Sequence, residues 1–290
     1  MTDKPLDWPD TNEIEPDNGP TAAEPDLFAQ TYTATRDALS GAADAYREAF
    51  EDIQAMLPTF DELVAQAVRL PGTAVNRAAY LTEAFGRKHA HQLRDAIDTT
   101  PAQAGLTPRD IDKIAKRSIG RDARRTTVLS IAAGIPGGMA AAATIPADLA
   151  QFYGYLIRCI QKLTYLYGWR DLIRISGGQA DAASGSALVI MLGVMAGDKQ
   201  ADAVLARLAR LRAGGANDAA LRMALEAKAL SREVAQISDT LTKRLAQRLG
   251  GQVVGKAMPL VGAVISGTIS NADFYAMARR LQKQFKSLGY

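Results

Sequence analysis

An uncharged run of 22 residues, 126–147 (TTVLSIAAGIPGGMAAAATIPA), constrains this chain more than any other segment. A run of that length either crosses a bilayer or must be hidden from water by other elements. Its make-up argues for hiding, because only six of its residues are large aliphatics or Met, against three glycines and two prolines. Pro136-Gly137-Gly138 is predicted to break or kink any helix there, since Pro removes a backbone hydrogen bond and Gly adds conformational freedom. Pro146 is expected in the first turn of a following helix, which should reach Tyr167 and stop at Gly168 as a left-handed cap. The other apolar segments hold at most 16 uncharged residues, as in 182–197, short for independent spans. Buried helical hairpins in a bundle, able to touch a membrane surface, fit these lengths better than a transmembrane protein.

The rest of the chain reads as helix. Apolar residues recur at helical spacing from Leu27 to Leu57, and Pro58 stops the pattern. Thr59 with Glu62 forms a capping box for a short helix to Leu70. A helix is expected from about Thr73 to Ile97 across Gly86, and another from Thr107-Pro108, with Asp110 in its first turn. Two polar helices, 199–212 and 217–249, flank Gly214-Gly215. No segment alternates like a strand. The expected fold is all-α: a multi-helix bundle with two glycine-rich apolar hairpins in or near the core. The expected domains are an acidic tail at 1–26, an N-terminal helical region at 27–105 and a larger helical domain at 106–290.

Charge is distributed unevenly. Residues 1–26 are proline-rich and hold eight acids against one Lys, a composition that predicts disorder. The remaining 264 residues carry 33 basic against 23 acidic side chains. A basic body suits an anionic partner, and Lys113, Lys116, Arg117, Arg121, Arg124 and Arg125 concentrate that charge just ahead of the apolar run. No nucleic-acid-binding motif accompanies the surplus, so nucleic acid is not expected as a partner. The N-terminus has neither a basic n-region nor an apolar h-region, and a cytoplasmic location is the expectation. Cys159 is alone, which excludes a disulfide framework and a thiolate metal cluster. His89 and His91 would point about 200° apart on a helix, so no metal site is expected, and both are read as surface residues. GIPGG lacks the Lys-Ser/Thr pair and the preceding strand of a phosphate loop. No cofactor is expected.

Two segments repeat one another loosely: IPGGMAAAATIPADLAQFY (135–153) and MPLVGAVISGTISNADFY (258–275). Each passes from Pro through small residues to Thr-Ile, then to Ala-Asp and an aromatic pair. Small residues let backbones approach closely, so two similar hairpins packing as a pair are expected. These blocks, with the Tyr167-Gly168 pair and Pro259, Gly262 and Asn271, resemble the EcsC-like family of bacterial proteins over about 126–280. The resemblance implies a helical fold and a setting beside transporter components, one candidate class of protein partner. It implies no reaction, ligand or catalytic residue.

Asp148 is the sharpest single position, an acid between an apolar run and an aromatic-rich helix. A buried carboxylate there would need a partner or a raised pKa. Tyr155 and Arg158 on its own helix, and Asn271 and Asp273 in the second block, are the candidate polar-pocket partners. The bland alternative is an acid complementing the dipole of its own helix. The aromatic string Phe152, Tyr153, Tyr155, Tyr165, Tyr167 and Trp169 reads either as core or as an interfacial belt at lipid headgroups.

Three functions therefore compete. The leading one is a cytoplasmic helical protein peripherally attached to an anionic membrane surface, holding a lipid or other apolar ligand between its hairpins. A hydrolase-like enzyme with a carboxylate pocket around Asp148 is the second. The third is a soluble interaction module, which requires Leu221, Leu225, Leu230, Val234, Ile237, Leu241 and Leu245 to be exposed.

Overall fold

The computed structural model describes residues 58–132, 139–257 and 271–289, together with 36, 40, 41, 44, 47 and 51. It describes the backbone but not the side chains of 126–132, 139–148, 249–257 and 271. The acidic tail, residues 133–138 and the glycine-rich segment 258–270 all fall outside the described residues, so the expectations placed on them do too. The chain divides into two units, Met1–Ala49 and Phe50–Tyr290. In the first unit, the described residues 36, 40, 41, 44 and 47 are helical.

The second unit is an all-α bundle whose boundaries follow from local chemistry. Helix α1 (Phe60–Arg69) begins at the expected capping box: Thr59 Oγ accepts from the Glu62 amide, and the Glu62 carboxylate accepts from the Thr59 amide. The helix expected over 73–97 is instead three pieces. Helix α2 (Arg77–Phe85) stops at Gly86, whose φ of 56° lies in the left-handed region. A 3-10 segment (Arg87–Gln92) and helix α3 (Leu93–Asp98) follow. Arg77 reaches back to donate to the carbonyls of Ala96 and Thr99, both at 2.7 Å, and so satisfies the open end of α3.

Helix α4 (Pro108–Ala132) starts as expected, with Thr107 Oγ accepting from the Asp110 amide at 3.2 Å. Helix α5 (Met139–Leu166) starts earlier than expected, so Pro146 lies inside it rather than in its first turn. Ala140–Ala143, the best helix formers, precede that proline and outweigh the single backbone bond it removes. The uncharged run is thus shared between the end of α4 and the start of α5. Helix α5 closes as expected on Gly168 (φ 82°), the Trp169 amide donating back to Thr164 at 2.8 Å.

A two-residue hairpin, β1 (Ile175–Ser176) with β2 (Gln179–Ala180), turns on Gly177 and Gly178, both at positive φ. It forms where no strand was expected. Helix α6 (Ala182–Met195) begins at the Asp181 cap, and α7 (Lys199–Ala213) begins at the Asp198 cap. The polar helix expected over 217–249 is broken at Ala227, whose extended backbone separates α8 (Asp218–Glu226) from α9 (Lys228–Ala257). Helix α10 (Asn271–Leu288) completes the bundle.

Helix α6 is the axis of the packing. It contacts α1, α5, α7, α8, α9 and α10. Its lack of charge and of any polar stripe is what such a position demands. Gly193 makes the closest approach, since a Cβ there would come within 2.6 Å of Ala201 Cβ and 3.0 Å of Ile237 Cγ2. Ser184 is buried on α6 and accepts from the Arg174 amide at 2.7 Å.

Two expectations are corrected by this packing. Leu221, Leu225, Leu230, Val234, Ile237, Leu241 and Leu245 are all buried within the chain, so the apolar face required of an interaction module is already covered. The boundary at 105/106 is not a break either, because α1 packs on α5 and α6. The aromatic string divides as well. Tyr153, Tyr165, Tyr167 and Trp169 are buried, Tyr165 donates to the Val75 carbonyl at 3.0 Å, and Tyr167 stacks on Phe285 with centroids 5.5 Å apart. Core packing therefore replaces the interfacial belt at these four positions.

Candidate functional site

Helix α4 has two opposed faces, both carrying charge. Ile111, Ile114, Ala115, Ser118, Ile119, Asp122 and Ala123 face inward and are buried. Lys113, Lys116, Arg117, Arg121 and Arg124 recur at i, i+3, i+4, i+8 and i+11, which places them on one outward side.

The inward face satisfies every polar group it buries. Asp122 and Lys162 of α5 form an ion pair, with Nζ at 2.6 and 2.8 Å from the two carboxylate oxygens. Both side chains are under a tenth exposed. The ammonium also lies 5.8 Å from the centroid of the Tyr80 ring, whose hydroxyl donates to Ser118 Oγ at 3.2 Å. Burial pushes the Tyr80 hydroxyl and the Cys159 thiol upward in pKa, the thiol further raised by nearby Asp122. Cys159 is therefore a packed thiol rather than a nucleophile.

The outward face lines two adjoining clefts. The larger has a volume of about 710 Å³ and is walled by α2, the 3-10 segment, α4 and Tyr275 of α10. Its lining carries Lys88, Lys113, Lys116, Arg117, Arg121 and Arg124 against Glu83 and Asp110. The smaller, about 440 Å³, lies between α4 and α10 and carries Arg109, Lys113, Lys116, Arg279, Lys283 and Lys286 against Asp112. Lys113 and Lys116 form the ridge shared by the two. Together the clefts gather ten cations and three carboxylates.

Each of those carboxylates is already engaged. Glu83 pairs with Arg121 at 2.6 Å, Asp110 with Lys88 at 2.8 Å, and Asp112 with Lys286 at 2.7 Å. Hydrogen bonds from Lys88 and Thr107 hold the half-buried Asp110 carboxyl down at about 2, so it stays ionised at neutral pH. Among the described residues, Lys113, Lys116 and Arg117 are exposed and form no ion pair. Gln282 anchors the α10 wall: its Nε2 donates to the Asp112 carbonyl at 3.1 Å and to the Tyr167 hydroxyl at 3.2 Å, and that hydroxyl donates to the Asp112 carboxylate at 2.7 Å. His89, expected on the surface, is buried in the wall of the larger cleft, with Nδ1 3.0 Å from Gln92 Oε1 and Nε2 3.8 Å from Asp110. No group of three or more His, Cys, Asp or Glu among the described residues could hold a metal ion.

The other candidate residues fall elsewhere. Asp148 lies within α5 and Asn271 opens α10, and the side chains of both are outside the described residues. Arg158 donates to the carbonyl of Gly72, Tyr155 is half-buried against the core, and Asp273 pairs with Arg248 of α9 at 3.1 Å. The helices that leave the two repeated blocks do meet, with the Phe152 and Phe274 rings 6.3 Å apart edge to face. Arg125 is exposed but does not line either cleft.

Sequence reasoning found the α4 cations and missed their partners. Arg279, Lys283 and Lys286 share the spacing of one helix face, a legible signal. Lys88 carries no such signal, because a turn at Gly86 and a 3-10 segment bring it to the cleft. Asp122 and Lys162 each stand as a single charge in an apolar stripe, a pattern that marks both for burial but does not show that they meet.

The chain matches no known protein family, no curated protein and no solved structure.

Proposed function

We propose that this protein attaches peripherally to an anionic membrane surface, at the cytoplasmic face, through the outward side of α4. One observation carries the reading: Lys113, Lys116 and Arg117 stand exposed in a cationic cleft whose carboxylates are already paired with other cations. Clustered cations near a surface each contribute about 1 kcal/mol toward an anionic leaflet, and salt screens that attraction. Among the described residues no helix is long and apolar enough to cross a membrane, so attachment by charge needs no span there. The EcsC-like resemblance and a transporter component as protein partner belong to the same proposal. A lipid or apolar ligand between the glycine-rich segments remains part of it, resting on the composition of 126–147 and 258–269 alone.

The carboxylate-pocket hydrolase draws no support from Arg158 or Asp273, which are bound to Gly72 and Arg248 respectively. Co-flotation with neutral and anionic liposomes at low and high salt tests the membrane reading. Salt-sensitive capture by the anionic vesicles alone is expected; no capture in either salt overturns it.

A further inference from the structure

We infer that the larger cleft is a binding site for a terminal phosphate, the dianionic group of a phosphomonoester or a phosphoanhydride. This rests on the same cationic face as the membrane reading but does not require a bilayer.

Three features separate this site from a basic surface. First, it is concave, and about 710 Å³ is enough to receive a phosphate together with part of the molecule bearing it. A bilayer phosphodiester sits flush between glycerol and headgroup, whereas only a phosphate at the end of a molecule can enter a concavity. Second, the cations converge from separate elements: Lys88 from the 3-10 segment, and Lys113, Lys116, Arg117 and Arg121 from α4. A terminal phosphate offers three strong acceptor oxygens and nearly two charges, and Arg can meet such a group with two parallel donors. Third, the cleft is partly pre-organised. Glu83 holds Arg121 at 2.6 Å and Asp110 holds Lys88 at 2.8 Å, so two cations are already placed. Lys113, Lys116 and Arg117 are left to close on the ligand, and ordering fewer side chains on binding costs less affinity.

The lining also argues against an apolar occupant. Six cations surround the space, so an acyl chain would gain little by entering it. Where the phosphate belongs to a lipid, the headgroup enters and the chains stay in the bilayer.

Calorimetric titration of the full chain with sodium pyrophosphate, against sodium sulfate at matched ionic strength, provides the first arm. The second arm compares capture by phosphatidylcholine vesicles doped with phosphatidic acid or phosphatidylglycerol to equal surface potential. Saturable pyrophosphate binding and a preference for phosphatidic acid are expected. Lys116→Gln and Arg117→Gln should each weaken both by about five-fold, the equivalent of one cation near the surface. Arg232→Gln, an exposed cation of α9 outside the cleft, should change neither. Phosphatidic-acid preference without pyrophosphate binding supports the site with a lipid source. Pyrophosphate binding without vesicle capture supports it with a soluble source, and overturns the membrane reading instead. Absence of pyrophosphate binding together with equal capture by both anionic vesicles overturns the phosphate site and leaves membrane attachment standing.

Discussion

The two faces of helix α4 handle charge in opposite ways. On the inward face one carboxylate, Asp122, is matched by one ammonium, Lys162, and both are almost wholly buried. On the outward face Lys113, Lys116 and Arg117 form no ion pair among the described residues, while their neighbours Lys88 and Arg121 are held by acids. An uncompensated charge inside the bundle would cost several kcal/mol, so burial enforces pairing. Outside, water solvates each cation at little cost, and nothing in folding requires that cations accumulate there. The inward charges are explained by the fold; folding alone does not account for the outward ones, which is what the proposed anionic partner would explain.

The largest expected effect strikes the inward face. Asp122→Ala strands the Lys162 ammonium and should lower stability by about 3–5 kcal/mol in a denaturant titration. Replacing both partners with apolar residues (Asp122→Leu with Lys162→Met) should recover most of that loss. A single substitution costing under about 1 kcal/mol would mean that the pair is already solvated, and the contrast between faces would collapse.

Next comes the outward face. Neutralising Lys113, Lys116 and Arg117 together to Gln should weaken capture by anionic vesicles about 100-fold, from roughly 1 kcal/mol per cation. The melting temperature should not fall. A variant that lost stability instead would make these cations structural.

A smaller effect is expected at Ser118. Removing its hydroxyl with Ser118→Ala leaves the buried Tyr80 hydroxyl without its acceptor, and the loss should be about 1–2 kcal/mol by thermal or chemical unfolding. Full stability in that variant would show that Tyr80 had found another partner.

The smallest effect concerns acid. Asp110 is held at about 2, below its ordinary 3.8, mainly by its hydrogen bond from Lys88. Because the folded pKa is depressed, its contribution to stability is present above about 3.8 and is lost as pH falls toward 2. Lys88→Ala should raise the carboxyl pKa, read by an NMR titration of the Asp110 side chain, and flatten stability across that acid window. An unmoved titration would assign the depression to Thr107.

Much of the fold was legible because its signals are local. The Thr59–Glu62 capping box, the Thr107 start of α4 and the Gly168 stop of α5 each depend on residues within one turn, so propensity and spacing read them correctly. The breaks at Gly86 and Ala227 were not legible. A helix-compatible sequence surrounds each, and the helix ends on a left-handed backbone at Gly86 and an extended one at Ala227. The candidate site was half visible: the α4 cations stand in one string, but the walls facing them come from segments some 30 residues before and 160 after.

By itself, then, the sequence determined the helical class, the caps, and which side of α4 would be wet, because each follows from short-range spacing and solvation. Tertiary structure alone decided that Asp122 meets Lys162, that the leucines of 221–245 are covered by their own chain, and that cations from three elements line two adjoining clefts. Those outcomes depend on which faces pack across long loops, and no local spacing encodes such a choice.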